Sequence, residues 1–120
     1  MPVFSQNLRP EEIIDRPQTE ESPDIRQMRE AARQASDLLR ALGNEHRLLI
    51  LCNLAKGEKS VGELQELIGL SQSALSQHLA RLRHDGLVTT RRESQTIFYS
   101  LVGNKASRVI EVLYSLYCTS

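Results

Sequence analysis

The sequence predicts a mainly α-helical fold of about five helices with one small β-hairpin. Three observations predict it. Apolar residues recur at helical spacing in several separate stretches. Glycines and capping side chains punctuate those stretches. One late segment, residues 87–101, switches to β-branched and aromatic residues. The 120 residues suit a single folded domain with a real core. Apolar residues make up 40% of the chain and tryptophan is absent, so that core rests mainly on Leu, Ile, Val and Ala.

Residues 1–23 contain all four prolines and few large apolar groups, which predicts a flexible acidic arm ahead of a domain spanning 24–120. The arm is read either as a solvated tail or as a segment that modulates the dimer or its ligand. From Asp24 onward Met28, Ala31, Ala35, Leu38, Leu39 and Leu42 form an apolar stripe, and Gly43 terminates that helix. Asn44 caps the next helix, Glu45 to Lys56, which is apolar nearly all round and is expected to be the buried centre. Ser60 and Glu63 have the spacing of a capping box and open a short helix that stops at Gly69. Ser71 caps a further helix running to about Asp85, with Leu75, Leu79 and Leu82 on its inward face.

Two short helices around a tight glycine turn predict a helix-turn-helix. Leu87 to Arg92 and Thr96 to Leu101, separated by Glu93-Ser94-Gln95, predict a two-stranded hairpin directly after it, which is a wing. Gly103-Asn104 opens a last helix. Its Val109, Ile110, Val112, Leu113, Tyr114, Leu116 and Tyr117 are apolar on more than one face, which calls for a partner, most simply a second copy.

Charge is distributed unevenly. The net charge is zero, but residues 1–24 hold two arginines against six acids, leaving +4 on residues 25–120. A mildly basic domain behind an acidic tail permits binding to DNA. No apolar run suits a signal peptide or a membrane span, so a cytoplasmic protein is expected. Two cysteines do not make a disulfide-built scaffold, and in a reducing cytoplasm they are thiols.

The ordered motifs resemble those of ArsR/SmtB-type bacterial repressors. Leu42-Gly43-Asn44-Glu45-His46-Arg47-Leu48-Leu49-Ile50-Leu51 resembles the opening of their second helix, and Ser60-Val61-Gly62-Glu63-Leu64 the start of their first helix-turn-helix element. Leu70 to Leu79 is similar to their recognition helix, and Asp85-Gly86-Leu87-Val88 with Phe98-Tyr99-Ser100-Leu101 to their wing. The resemblance covers roughly residues 28–118. It implies a winged helix-turn-helix homodimer built through the first and last helices. It also implies binding to double-stranded operator DNA bearing an imperfect inverted repeat.

The family's metal-sensing patterns are missing. Ser60 to Glu66 contains no Cys, the last helix contains no His or Asp, and His46, His78 and His84 make no close ligand pair with a cysteine. No metal and no cofactor is expected. Cys52 and Cys118 instead resemble the cysteine pair of the dithiol-sensing, BigR-like and HlyU-like branch. That branch releases DNA when persulfide or an oxidant bridges the pair. The resemblance therefore implies a redox-sensing role for Cys52 and Cys118. A direct disulfide needs Cα atoms within about 7 Å, which a polysulfide link relaxes. Cys118, near the chain end, is the expected first reactant, and Cys52, among leucines, the resolving thiol.

For DNA, Gln72, Ser73, Ser76 and Gln77 are the base-reading candidates on the recognition helix, and Ser71 stands at its phosphate-favouring N-terminus. His78 and Arg81 are assigned to the DNA backbone, and Arg91 and Arg92 to phosphate or minor groove from the wing. Rival readings remain: a regulator with inert cysteines, a metal-responsive repressor, and a winged-helix module that docks protein. An enzyme is not expected, because His46 and Cys52 fall on different helix faces and no phosphate loop is present.

Overall fold

Local capping chemistry sets the helix boundaries. A computed structural model describes residues 22–118, so the expected arm lies outside the described residues except for Ser22 and Pro23. The order is α1 (Pro23–Leu42), α2 (Glu45–Leu54), β1 (Lys59–Ser60), α3 (Val61–Ile68), α4 (Gln72–His84), β2 (Val88–Glu93), β3 (Thr96–Leu101) and α5 (Lys105–Tyr117). Residues up to Leu38 form one unit and residues from Leu39 a second.

In the first unit α1 is held along its polar face by Glu30, which accepts hydrogen bonds from Arg33 and Gln34 one turn on. Ile25 and Met28 are half-buried, while Ala31 and Ala35 are exposed.

In the second unit Ala41 and Leu42 are buried, but Leu39 is 60% exposed. Arg47 closes the end of α1: its guanidinium donates to the carbonyls of Ala41 at 2.8 Å and Arg40 at 3.1 Å. These are carbonyls that a helix end otherwise leaves without partners. Asn44 then caps α2, its Oδ1 accepting from the Arg47 amide at 3.0 Å.

Helix α2 is the hub, packing on α3, α4, α5 and β3. Ile50, Leu51 and Leu54 are buried, whereas Leu49 is exposed and Cys52 half-buried, so burial is one-sided where an all-round core helix was expected. The helix ends two residues before Lys56. Its last turn tightens there, with Lys56 and Gly57 amides donating to the carbonyls three residues back, Asn53 and Leu54.

Both halves of the capping box form at α3. The Glu63 amide donates to Ser60 Oγ at 3.1 Å, and the Ser60 amide donates to Glu63 Oε1 at 2.8 Å. Gly69 ends α3 in the left-handed region at φ 85°, which lets the chain turn sharply into α4. Leu64, Leu75, Leu79 and Leu82 pin the pair of helices to the core. Each fully buried leucine contributes about 1.5–3 kcal/mol.

The hairpin runs in register from Val88 opposite Leu101 to Glu93 opposite Thr96, turning at Ser94 and Gln95. The sheet has three strands, in the order β1-β3-β2, not the two expected. Lys59 pairs with Tyr99 and Ser60 with Phe98. A two-residue strand has no alternation to read, and Ser60 serves as helix cap and strand end together. The architecture is a winged helix-turn-helix. Among the described residues, no helix is long and apolar enough to cross a membrane.

Candidate nucleic-acid interface and dithiol pair

Helix α4 is a two-faced rod. Leu75, Leu79 and Leu82 are buried on one side, and Ser71, Gln72, Ser73, Ser76, Gln77 and Arg81 are exposed on the other. Ser71 is partly committed to the fold, because its Oγ accepts from the Ala74 amide at 3.2 Å. That cap leaves the adjacent N-terminal amides of α4 at an exposed, positive helix end. Arg81 reaches along the helix to Asp85, donating through Nε at 2.9 Å. Gln72 and Gln77 with Ser73 and Ser76 of the exposed face carry both donors and acceptors, the chemistry that reads base edges.

His78 departs from this outward set. The structure turns it inward, half-buried, with its ring centroid 5.7 Å from that of His46 on α2. Burial is the first cause that lowers the His78 pKa, followed by the charge of Arg47 and then His46. His46 Nδ1 is buried without a hydrogen-bond partner. His78 thus meets His46 of α2 while keeping part of its ring at the surface of the recognition helix. Sequence reasoning missed the pair, since 32 residues separate the two rings and each sits in a different apolar pattern. Among the described residues, no group of three or more His, Cys, Asp or Glu is placed to hold a metal ion.

The wing arginines differ from each other. Arg91 is held by Glu58, with Nε to Oε2 at 2.7 Å and a second nitrogen to Oε1 at 2.8 Å. Its guanidinium lies over the Phe98 ring at 4.6 Å, and Glu93 stands at 3.5 Å. The Glu58 carboxyl is held below the usual carboxylate range by its hydrogen bond from Arg91. Arg92 is exposed and has no ion-pair partner among the described residues.

The cysteines lie on two helices that pack together, α2 and α5. Cys52 is half-buried; Cys118 is the exposed C-cap of α5, and both are free thiols. Burial pushes the Cys52 thiol up, and the charge of Cys118 pushes it further, while Lys56 pulls it down. Cys52 is thus the thiol less ready to ionise, and Cys118 the more exposed of the two.

Residues 44–90 match the bacterial regulatory protein, arsR family. The chain is 53% identical to the transcriptional activator HlyU of Vibrio cholerae over 79% of its own length and 88% of the relative's. It is 44% identical to the biofilm growth-associated repressor of Xylella fastidiosa, over 77% of this chain and 81% of that one. In structure it is similar to reduced HlyU from Vibrio cholerae, with a TM-score of 0.74 at 54% identity, covering 78% of this chain and 98% of that one. It is equally similar to the transcriptional repressor BigR from Xylella fastidiosa, with a TM-score of 0.74 at 41% identity, covering 79% and 97%.

Proposed function

Because the chain belongs to the arsR family of bacterial regulatory proteins, we propose that it is a homodimeric, DNA-binding transcriptional regulator whose grip on its operator is released when Cys52 and Cys118 are bridged. Its similar relatives are named as regulators, an activator and repressors, and not as enzymes. The protein works in the cytoplasm, on duplex DNA carrying an imperfect inverted repeat.

One observation supports the sensing step above the others: Cys52 sits on the same hub helix, α2, against which both the recognition helix and the helix carrying Cys118 pack. A link formed there acts on the element that seats α4. Gln72, Ser73, Ser76 and Gln77 read bases, Ser71 and Arg81 line the phosphate path, and Arg91 and Arg92 serve the wing. Half-sites about one DNA turn apart match two recognition helices related by the dimer axis. The apolar surplus of α5 and of α1 supplies the dimer surface.

The chemistry balances with a persulfide as oxidant. The Cys118 thiolate attacks the terminal sulfur of RSSH, takes that sulfur and releases the thiol RSH. The Cys52 thiolate then attacks the inner sulfur of the Cys118 persulfide. A Cys52–Cys118 disulfide forms and hydrogen sulfide leaves with the second proton. Capture of further sulfane sulfur before closure gives a polysulfide link. The released state must differ from the reduced one in DNA affinity, since a bond alone changes no equilibrium.

The test is an operator titration of the reduced and persulfide-treated protein, with intact mass on both samples. Loss of affinity together with a Cys52–Cys118 bridged mass supports the sensor, and Cys118→Ser then keeps reduced affinity while losing the response. Unchanged affinity in the bridged protein refutes it. That result favours a regulator with inert cysteines, the reading that the raised Cys52 thiol also suits.

A further inference from the structure

Arg91 reaches across the outer face of the three-stranded sheet. It starts on β2, passes over Phe98 of β3, and ends on Glu58, just before β1. Two parallel N–H to oxygen bonds make a fork on the carboxylate, the same geometry in which a guanidinium grips a phosphate. The partners are 33 residues apart in sequence, so this is a tertiary contact and not a by-product of a helix face. It lies at the exposed surface, where water screens such a pair and it contributes little to stability. Arg92, one residue on, points to the opposite face of the sheet by strand alternation and has no ion pair among the described residues.

We propose that Glu58 is an affinity-setting residue for DNA: it occupies the Arg91 fork in the free protein, so that a DNA phosphate must displace the carboxylate before the wing closes its contact. The inference rests on the reading of the wing as a DNA-binding element and assigns a role to a residue that never touches the nucleic acid. Arg92 is the standing cation of the wing and Arg91 the exchangeable one. The weak pair suits exchange. A carboxylate held in this way keeps the wing from gripping every duplex it meets, because non-specific binding is almost wholly phosphate contact.

A staple that merely shapes the wing makes the opposite prediction, and the two separate by sign. The experiment titrates the reduced, full-length protein against a mixed-sequence DNA duplex over a series of salt concentrations. The proteins are wild type, Glu58→Gln, Arg91→Gln, the double variant, and Glu66→Gln as an exposed charge removed elsewhere. Glu58→Gln is expected to bind about two- to fivefold more tightly per protomer, with a salt slope steeper by about one phosphate contact. In the Arg91→Gln background the Glu58→Gln gain is expected to shrink to the small gain that Glu66→Gln gives. Thermal melts establish that each variant is folded, and Glu58→Asp, which retains a shortened carboxylate, is expected to fall between wild type and Glu58→Gln. Weaker or unchanged binding by Glu58→Gln overturns the proposal, as does an equal gain with Arg91 absent. A wild-type protein that binds with the usual salt dependence while Glu58→Gln is neutral leaves the DNA-binding reading standing and removes only this one. A wild-type protein that does not bind the duplex at any salt overturns both.

Discussion

Helices α4 and α5 are each 13 residues long, yet they solve opposite problems. Helix α4 buries Leu75, Leu79 and Leu82 completely within its own chain, and apart from Ala74 and Ala80 its other residues are polar. Helix α5 buries only Ala106 and Ile110, and leaves Val112, Tyr114, Leu116 and Tyr117 between 57% and 80% exposed. The first helix is complete in one chain. The second carries an apolar surplus that one chain leaves in water, which marks an interaction surface. Leucine count alone does not separate them; placement does. In α4 the leucines share one stripe, whereas in α5 large apolar groups also occupy the face away from α2.

The comparison breaks most sharply in the core of α4. Leu79→Ala is expected to cost about 2–5 kcal/mol, read as a denaturation midpoint below that of wild type at every protein concentration tested. A loss below that range would mean that α4 is not anchored as its burial indicates. Leu116→Glu on α5 is the counterpart. It is expected to weaken self-association by at least about tenfold, near 1.4 kcal/mol, in sedimentation equilibrium. Its unfolding midpoint should become less concentration-dependent at the same time. Unaltered association would remove α5 from the dimer surface.

Smaller effects sharpen the contrast at the ends of α4. Ser71→Ala removes the Oγ that accepts from the Ala74 amide and should cost about 1 kcal/mol. The equivalent Asn104→Ala at α5 should cost less, because Asn104 makes no side-chain cap bond there. The smallest effect is the pH dependence of His78. Its pKa is lowered in the fold, by burial first and then by Arg47 and His46, so the unfolded chain holds the proton more readily. The stability tied to the neutral ring is therefore full above the ordinary histidine value of about 6.5. It is lost as pH falls through the lowered folded value. Denaturation midpoints taken downward from neutral pH should fall less steeply in His78→Gln than in wild type, and identical slopes would assign the acid sensitivity to other groups.

Much of this molecule is written locally. The Ser60–Glu63 box, the Ser71 cap, the Gly69 turn and the leucine spacing of α4 each depend on residues within about one helical turn of each other, so the order of residues determines them before any packing occurs. The exposed Gln and Ser face of α4 follows from the same spacing. The strand formed by Lys59 and Ser60 was not legible, because two residues have no period and exist as a strand only when Phe98 and Tyr99 arrive beside them. The His46–His78 contact and the Glu58–Arg91 fork belong to the same class. Side-chain chemistry made each of these residues eligible. Which of them meet was decided by the path of the chain, since contacts across many residues depend on how α2 gathers α3, α4, α5 and β3 around itself, and no local propensity carries that information.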